Sequence, residues 1–169
     1  MTKKIAQAYL NIGLAQAHLK QYQQSIETFN TALAIPEGLN NELKASAHFN
    51  RGNVFFKQEQ FHPAVEDFSA AIAIPQGLNE VQKARAYLGR GHIFLQQGQF
   101  HPAVEDFSAA FAFPEGLTNE LKANAHFNRG HVFSKQEQFH PAVEDFSAAI
   151  AIPEGLTNEL KANAHFNRG

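Results

Sequence analysis

The stretch FHPAVEDFSAA runs from Phe61 to Ala71, recurs unchanged from Phe100 to Ala110 and again from Phe139 to Ala149, always 39 residues apart in a chain of 169. Sliding the whole sequence by that interval also aligns Gly13, Gly52, Gly91 and Gly130, then Phe29, Phe68, Phe107 and Phe146, then Pro36, Pro75, Pro114 and Pro153. Four units therefore follow one another without linkers, at about 2–40, 41–79, 80–118 and 119–157, and a partial fifth occupies 158–169. The chain reads as a single repeat array over 1–169, whose units share faces with their neighbours rather than one central core.

The repeated stretch has the marks of a helix. Pro63 suits a first turn, where the amide hydrogen it lacks would have no partner. Glu66 and Asp67 follow, favourable against the positive end of the helix dipole. Ala64, Val65, Phe68, Ala71 and Ile72 recur at helical spacing as one apolar stripe, and Pro75 and Gly77 end the element. Upstream, NELKASAHFNRGNVFFKQ has helix-forming composition with Asn41 near its start, and a turn is expected around Glu59 to Phe61. No segment alternates apolar and polar residues as a strand would. Each unit is thus a helix, a short turn and a second helix, and neither helix can bury its apolar face without neighbours.

The first helix of each unit has three sides. Ala45, His48, Gly52 and Phe55 lie on one, Ala47 and Val54 on another, and Ser46, Phe49, Asn50, Asn53, Phe56 and Lys57 on a third. Between Asn40–Leu78 and Thr118–Leu156 only five of 39 aligned pairs differ: Asn40/Thr118, Ser46/Asn124, Asn53/His131, Phe56/Ser134 and Gln76/Glu154. Two are in the loop or at its edge, and the other three all fall on the third side. The third unit agrees: its second helix exchanges only isoleucines, for Phe111 and Phe113, whereas Arg85, Leu88, Gly89, His92, Leu95 and Gln96 are new on the third side of its first helix. A stripe that varies while its surroundings stay constant is a candidate recognition surface, and neutral drift on exposed positions is the competing explanation.

These columns resemble the tetratricopeptide repeat family. The matches are Gly52 and Phe55, Ala64 and Phe68, Ala71 and Pro75, with their equivalents in the third and fourth units. The first unit supplies Tyr9, Gly13, Phe29, Ala32 and Pro36, but has Gln16 and Ser25 in the aromatic and alanine columns. Tyr9, His48, Tyr87 and His126 stand where the family favours Trp, and Ile12, Arg51, Arg90 and Arg129 fill its leucine column. The unit is about five residues longer than the usual length of roughly 34, an excess placed in PEGLNNELK and its counterparts. A HEAT-type array has a closer period of roughly 40 to 47, but the Gly-x-x-Phe and Ala-x-x-x-Phe columns favour the tetratricopeptide reading. The resemblance implies an all-α fold, a right-handed α-solenoid of stacked antiparallel helix pairs. It also implies that the third stripe lines a concave groove that holds an extended peptide or helix.

On that reading the peptide-binding residues are Asn11, Phe49, Asn50, Asn53, Lys57, Arg85, Leu88, His92, Phe127, Asn128, His131 and Lys135. The stripe carries Lys57, Arg85 and Lys135, together with His18, His92 and His131, and no carboxylate, so an acidic peptide is the expected ligand of a non-enzymatic scaffold. If the histidines titrate ordinarily, they add charge below about pH 6.5. Asn11, Asn50 and Asn128 form a ladder, interrupted by Gly89, that can both donate to and accept from a peptide backbone. The alternative is a self-assembling or engineered structural array, or a fragment of a longer solenoid, associating end to end through apolar residues such as Phe166.

Composition narrows the rest. A net charge of −2 without runs of like charge gives no nucleic-acid footprint, and no segment approaches the length of a membrane span. The absence of cysteine removes disulfides and thiolate chemistry and fits a reducing, cytoplasmic location. No catalytic constellation rises above the repeat background, and no cofactor is implied. His62, His101 and His140 each precede a glutamate by four residues, a spacing able to hold a metal, but their repetition beside a helix-starting proline points to helix-terminus chemistry instead.

Overall fold

The computed structural model of the chain describes residues 2–35, 39–153, 157, 161, 163 and 164. The described helices are α1 (Thr2–His18), α2 (Tyr22–Leu33), α3 (Asn41–Lys57), α4 (Phe61–Ala73), α5 (Glu80–Gln96), α6 (Phe100–Ala110), α7 (Asn119–Lys135) and α8 (Phe139–Ala151), with a single 3-10 turn at Pro114–Gly116. No strand occurs among the described residues. The all-α, repeated helix-pair fold read from the sequence is therefore present. Of the expected C-terminal helix, Lys161, Asn163 and Ala164 are helical, while Phe166 lies outside the described residues. The chain falls into two compact units, Met1–Gln82 and Lys83–Gly169.

In the first unit α1 pairs with α2 and α3 with α4, and α2 packs against α3. In the second, α7 pairs with α8 and α6 packs against α7, while α5 meets α6 through Gly91 and Phe107. The same contact closes every pair: the second-helix phenylalanines Phe29, Phe68, Phe107 and Phe146 are at most 1% exposed, each with its ring against a glycine of the first helix. A Cβ added at Gly52 would stand 3.1 Å from both the Phe68 ring and the Asp67 Cβ, and at Gly13 it would stand 2.8 Å from the Phe29 ring. Ala64, Ala71 and their repeats, all nearly or fully buried, flank the ring. Glycine is thus required for close helix approach rather than for backbone freedom.

Freedom is required instead at the turns within the pairs. Lys20, Glu59 and Glu137 have φ of 59°, 56° and 59°, the left-handed region that side chains resist, and the third unit places Gly98 at φ 70° in the aligned position. Helix starts are capped one residue earlier than the sequence suggests. Asn40, not Asn41, accepts from the Leu43 amide at 2.9 Å, and Thr118 does the same for Leu121 at 3.2 Å. The Asn40/Thr118 difference therefore preserves a cap. Asn41 and Asn119 reach instead to the carbonyls of Pro75 and Pro153, at 3.2 and 3.5 Å.

The sequence reading misplaced Asp67. Helix α4 begins at Phe61, so Pro63 stays within the first turn, but Asp67 lies beyond the reach of the dipole and points inward, 3% exposed. Its carboxylate accepts from Arg51 Nε and Nη2 at 2.7 and 2.6 Å and from His48 Nδ1 at 2.8 Å. Asp145 repeats the arrangement with Arg129 and His126. Asp106 has Arg90, at 2.8 and 2.7 Å, but Tyr87 stands where the histidine would be. Burial alone pushes all three carboxyls up. The Arg and His hydrogen bonds outweigh it at Asp67 and Asp145, which lie below the ordinary carboxylate range, whereas at Asp106 burial prevails and the carboxyl lies above it. The first repeat, residues 2–35, dispenses with the ion pair: Ile12 and Thr28 occupy its columns, Thr28 donates to Gln16 at 2.7 Å, and the buried Ser25 hydroxyl donates to the Gly13 carbonyl at 2.7 Å.

Two sets of outcomes are expected in urea unfolding. Gly52→Ala loses about 1–2 kcal/mol, overpacking against Phe68 outweighing a helix-propensity gain of about 1 kcal/mol, while Glu59→Gly gains about 0.5–1 kcal/mol by relieving the left-handed backbone. Asp67→Asn loses about 3 kcal/mol at neutral pH, because it removes the buried charge that the half-buried Arg51 guanidinium is paired with. Depressed carboxyls contribute stability above the ordinary carboxylate range and lose it as pH falls through and below that range. The loss caused by Asp67→Asn therefore shrinks below about pH 4. Asp106, shifted the other way, favours its protonated form in the fold, so Asp106→Asn costs less at neutral pH than Asp67→Asn.

Candidate ligand-facing surface

In the first unit α1 lies against α3, and Asn11 occupies on α1 the repeat position that Asn50 occupies on α3. Asn11 is exposed and accepts from Gln7 Nε2 at 3.1 Å. Asn50 and Asn53 are half-buried, and Lys57 is exposed in the last turn of α3. Phe49 does not belong to this surface: it is 7% exposed, with its ring 6.3 Å from that of Phe68. Its position on the helix wheel is at the edge of the packing side, and an aromatic ring there turns into the core.

In the second unit Arg85 is exposed on α5, with Leu88 and His92 half-buried beside it. On α7, Phe127, Asn128 and His131 are half-buried and Lys135 is exposed. Leu88 packs against the cluster of Ala103, Phe107 and Val132, and Phe127 lies 5.7 Å from Phe146. Both therefore spend much of their apolar surface on the helix pairs and offer only an edge. Lys57, Arg85 and Lys135 enter no ion pair among the described residues, in contrast to Arg51 and Arg129, which are tied to aspartates.

His92 and His131 are shifted below the ordinary histidine value. Burial lowers the His92 pKa, and the Gln96 amide nitrogen, which can only donate, sits 2.9 Å from its Nε2 and favours the neutral ring. Burial and the Lys135 charge lower His131. The charge they bring arrives at a more acidic pH than the sequence suggests.

The variable positions have partly internal roles. Ser46 accepts from Gln82 Nε2 at 3.3 Å. Phe56 packs 6.4 Å from Phe61, and where the fourth unit has Ser134 instead, the aligned Phe139 is left 64% exposed. The outer histidines pair with their glutamates, His62–Glu66 at 3.4 Å, His101–Glu105 at 3.1 Å and His140–Glu144 at 3.2 Å, all in solvent. Among the described residues no group of three His, Cys, Asp or Glu gathers as a metal site would, and no helix is long and apolar enough to cross a membrane.

Two family models described as tetratricopeptide repeat match the chain, one over residues 4–77 and the other over 84–113 and 123–155. No curated protein matches the sequence. Among solved structures, YrrB, described as a TPR protein with an unusual peptide-binding site, is 19% identical with a TM-score of 0.74 over 95% of this chain and 72% of its own. MamA is 19% identical, TM-score 0.71, over 94% of this chain and 75% of its own. A putative kinesin light chain from Podosopora anserina with nearly identical TPR-like repeats is 17% identical, TM-score 0.69, over 99% and 85%. At such identity these likenesses speak for the fold, while the matched segments take in both units and the Gly–Phe contacts that close their helix pairs. The chain belongs to the tetratricopeptide repeat family.

Proposed function

We propose that the chain is a non-enzymatic protein-interaction scaffold whose α1/α3 surface in the first unit and α5/α7 surface in the second take an extended acidic peptide. The observation that carries this reading is the division of labour among its cations: Arg51, Arg90 and Arg129 are held by buried aspartates, whereas Lys57, Arg85 and Lys135 stand exposed on a side without carboxylates. Asn11, Asn50, Asn53 and Asn128 supply amides able to pair with a peptide backbone in either sense. The description of YrrB as having a peptide-binding site supports peptide as the ligand class. Phe49 is left out of the contact set because it is buried.

A second reading, self-association, draws on the exposure of Ile5 (45%) and Ile12 (48%) on α1 and of Phe139 (64%) and Val143 (37%) on α8. Sedimentation at rising concentration then shows assembly that Phe139→Ser reduces; a concentration-independent monomer removes this reading.

For the scaffold, titration of a fluorescent acidic peptide is expected to show affinity falling with salt and weakening by about two- to fivefold in Arg85→Ala. Because the His92 and His131 pKa values are depressed, binding tightens further only at a pH more acidic than the ordinary histidine value of about 6.5, as protonation adds charge that a carboxylate ligand favours. Indifference to peptide charge, salt and the loss of Arg85 would refute the acidic preference.

A further inference from the structure

The one interruption of the repeated second-helix motif lies in the third unit, where Phe111 and Phe113 replace the isoleucines aligned at 72 and 74. Helix α6 ends at Ala110, the chain turns through Pro114–Gly116, and a cleft of about 620 Å³ lies between this turn and α7, lined by Phe111, Pro114, Leu117, Lys122, His126 and Arg129 among others. Its volume falls in the range of small-molecule sites. Phe111 is the wall that the substitution creates: its ring lies 4.3 Å from that of His126, and the Arg129 guanidinium sits 4.9 Å above it. Phe113 stacks on Tyr87 at 6.1 Å, and the Lys83 ammonium lies 5.4 Å from its ring centroid.

The cleft is positive. Arg129 is balanced by Asp145, to which it gives Nε and Nη2, while Nη1 donates to Ser108 at 2.9 Å. One N–H on each terminal nitrogen remains unassigned by these bonds. Lys122 is exposed and has no ion-pair partner among the described residues, so one uncompensated positive charge stands at the rim. Apolar walls are supplied by Phe111, Pro114 and Leu117.

We propose that this cleft binds a carboxylate carried on an aromatic body, the carboxylate meeting Lys122 and the outer N–H groups of Arg129 and the ring packing on the edge of Phe111. Such a group is presented by a small aromatic acid and equally by a peptide ending in phenylalanine. Residues 122, 126 and 129 project from the side of α7 opposite 128, 131 and 135, at 100° per residue, so the cleft is separate from the surface proposed for acidic peptides.

The test is amide chemical-shift perturbation of the whole chain by 3-phenylpropionate, by its neutral analogue 3-phenylpropanol, and by a tetrapeptide ending in phenylalanine with free or amidated terminus. The acid is expected to shift signals at residues 111–129 and the alcohol to leave them in place. Binding by the free-ended peptide but not its amide identifies a chain terminus as a source; binding by the small acid alone identifies a free acid. Phe111→Ile, which restores the residue of the aligned units and so keeps the fold, and Lys122→Gln should each weaken binding by about tenfold, while Lys135→Ala leaves it unchanged. No shift from any acid at millimolar concentration, equal shifts from the alcohol, or full binding by Phe111→Ile would overturn the proposal. Since Lys135 serves only the other surface, loss of acidic-peptide binding in Lys135→Ala with the cleft intact separates the two readings.

Discussion

The contact on which the structure depends is an aromatic ring laid on a backbone that has no side chain. Phe29, Phe68, Phe107 and Phe146 are buried against Gly13, Gly52, Gly91 and Gly130, and a Cβ at Gly52 would come within 3.1 Å of the ring, so a larger residue there makes the ring give way by a few tenths of an ångström. Close approach brings the second-helix aspartate within 2.6–2.8 Å of an arginine and a histidine sixteen and nineteen residues upstream. A wider crossing would leave the buried aspartate without its guanidinium partner, a much larger penalty than the loss of packing alone.

The ion pair has a consequence for the exterior. Pairing Arg51, Arg90 and Arg129 with buried aspartates compensates their charge, so on the varying stripe of the same helices the unpaired charge is set by other residues. Recognition surfaces can then vary without disturbing the pairs, which is the pattern of the differences between the second and fourth units.

The period, the two helices of each pair and the glycine and phenylalanine columns were legible because each is a local or strictly repeated property. The ion pair was not read, although the signal was present: Arg and Asp occupy their columns together in three units and give way together, to Ile12 and Thr28, in the first. Pairing of that kind is tertiary, and a helix wheel assigns Asp67 only a side, not a partner. Phe49 was misjudged for a related reason, since a wheel cannot tell which way a ring at the boundary of two sides will turn. The left-handed turn residues were not legible, because Lys20, Glu59 and Glu137 adopt that backbone with side chains that do not advertise it and only the aligned Gly98 is of a type that favours it. The depressed histidines depend on burial, which is invisible before the pairs are assembled.

Near-identity of α3–α4 and α7–α8 means that the surfaces closing one pair also fit the other. Helix α3 would find on α8 the same phenylalanine, the same aspartate and the same alanines that it meets on α4. What selects the correct mate is chain connectivity, since a three-residue link at 58–60 closes at far less entropic cost than the long segment to residue 139, by about 0.6 kcal/mol for each doubling of length. That preference acts within one molecule. Between molecules the same surfaces also fit, so domain exchange between chains competes as protein concentration rises toward the effective concentration that the short link supplies.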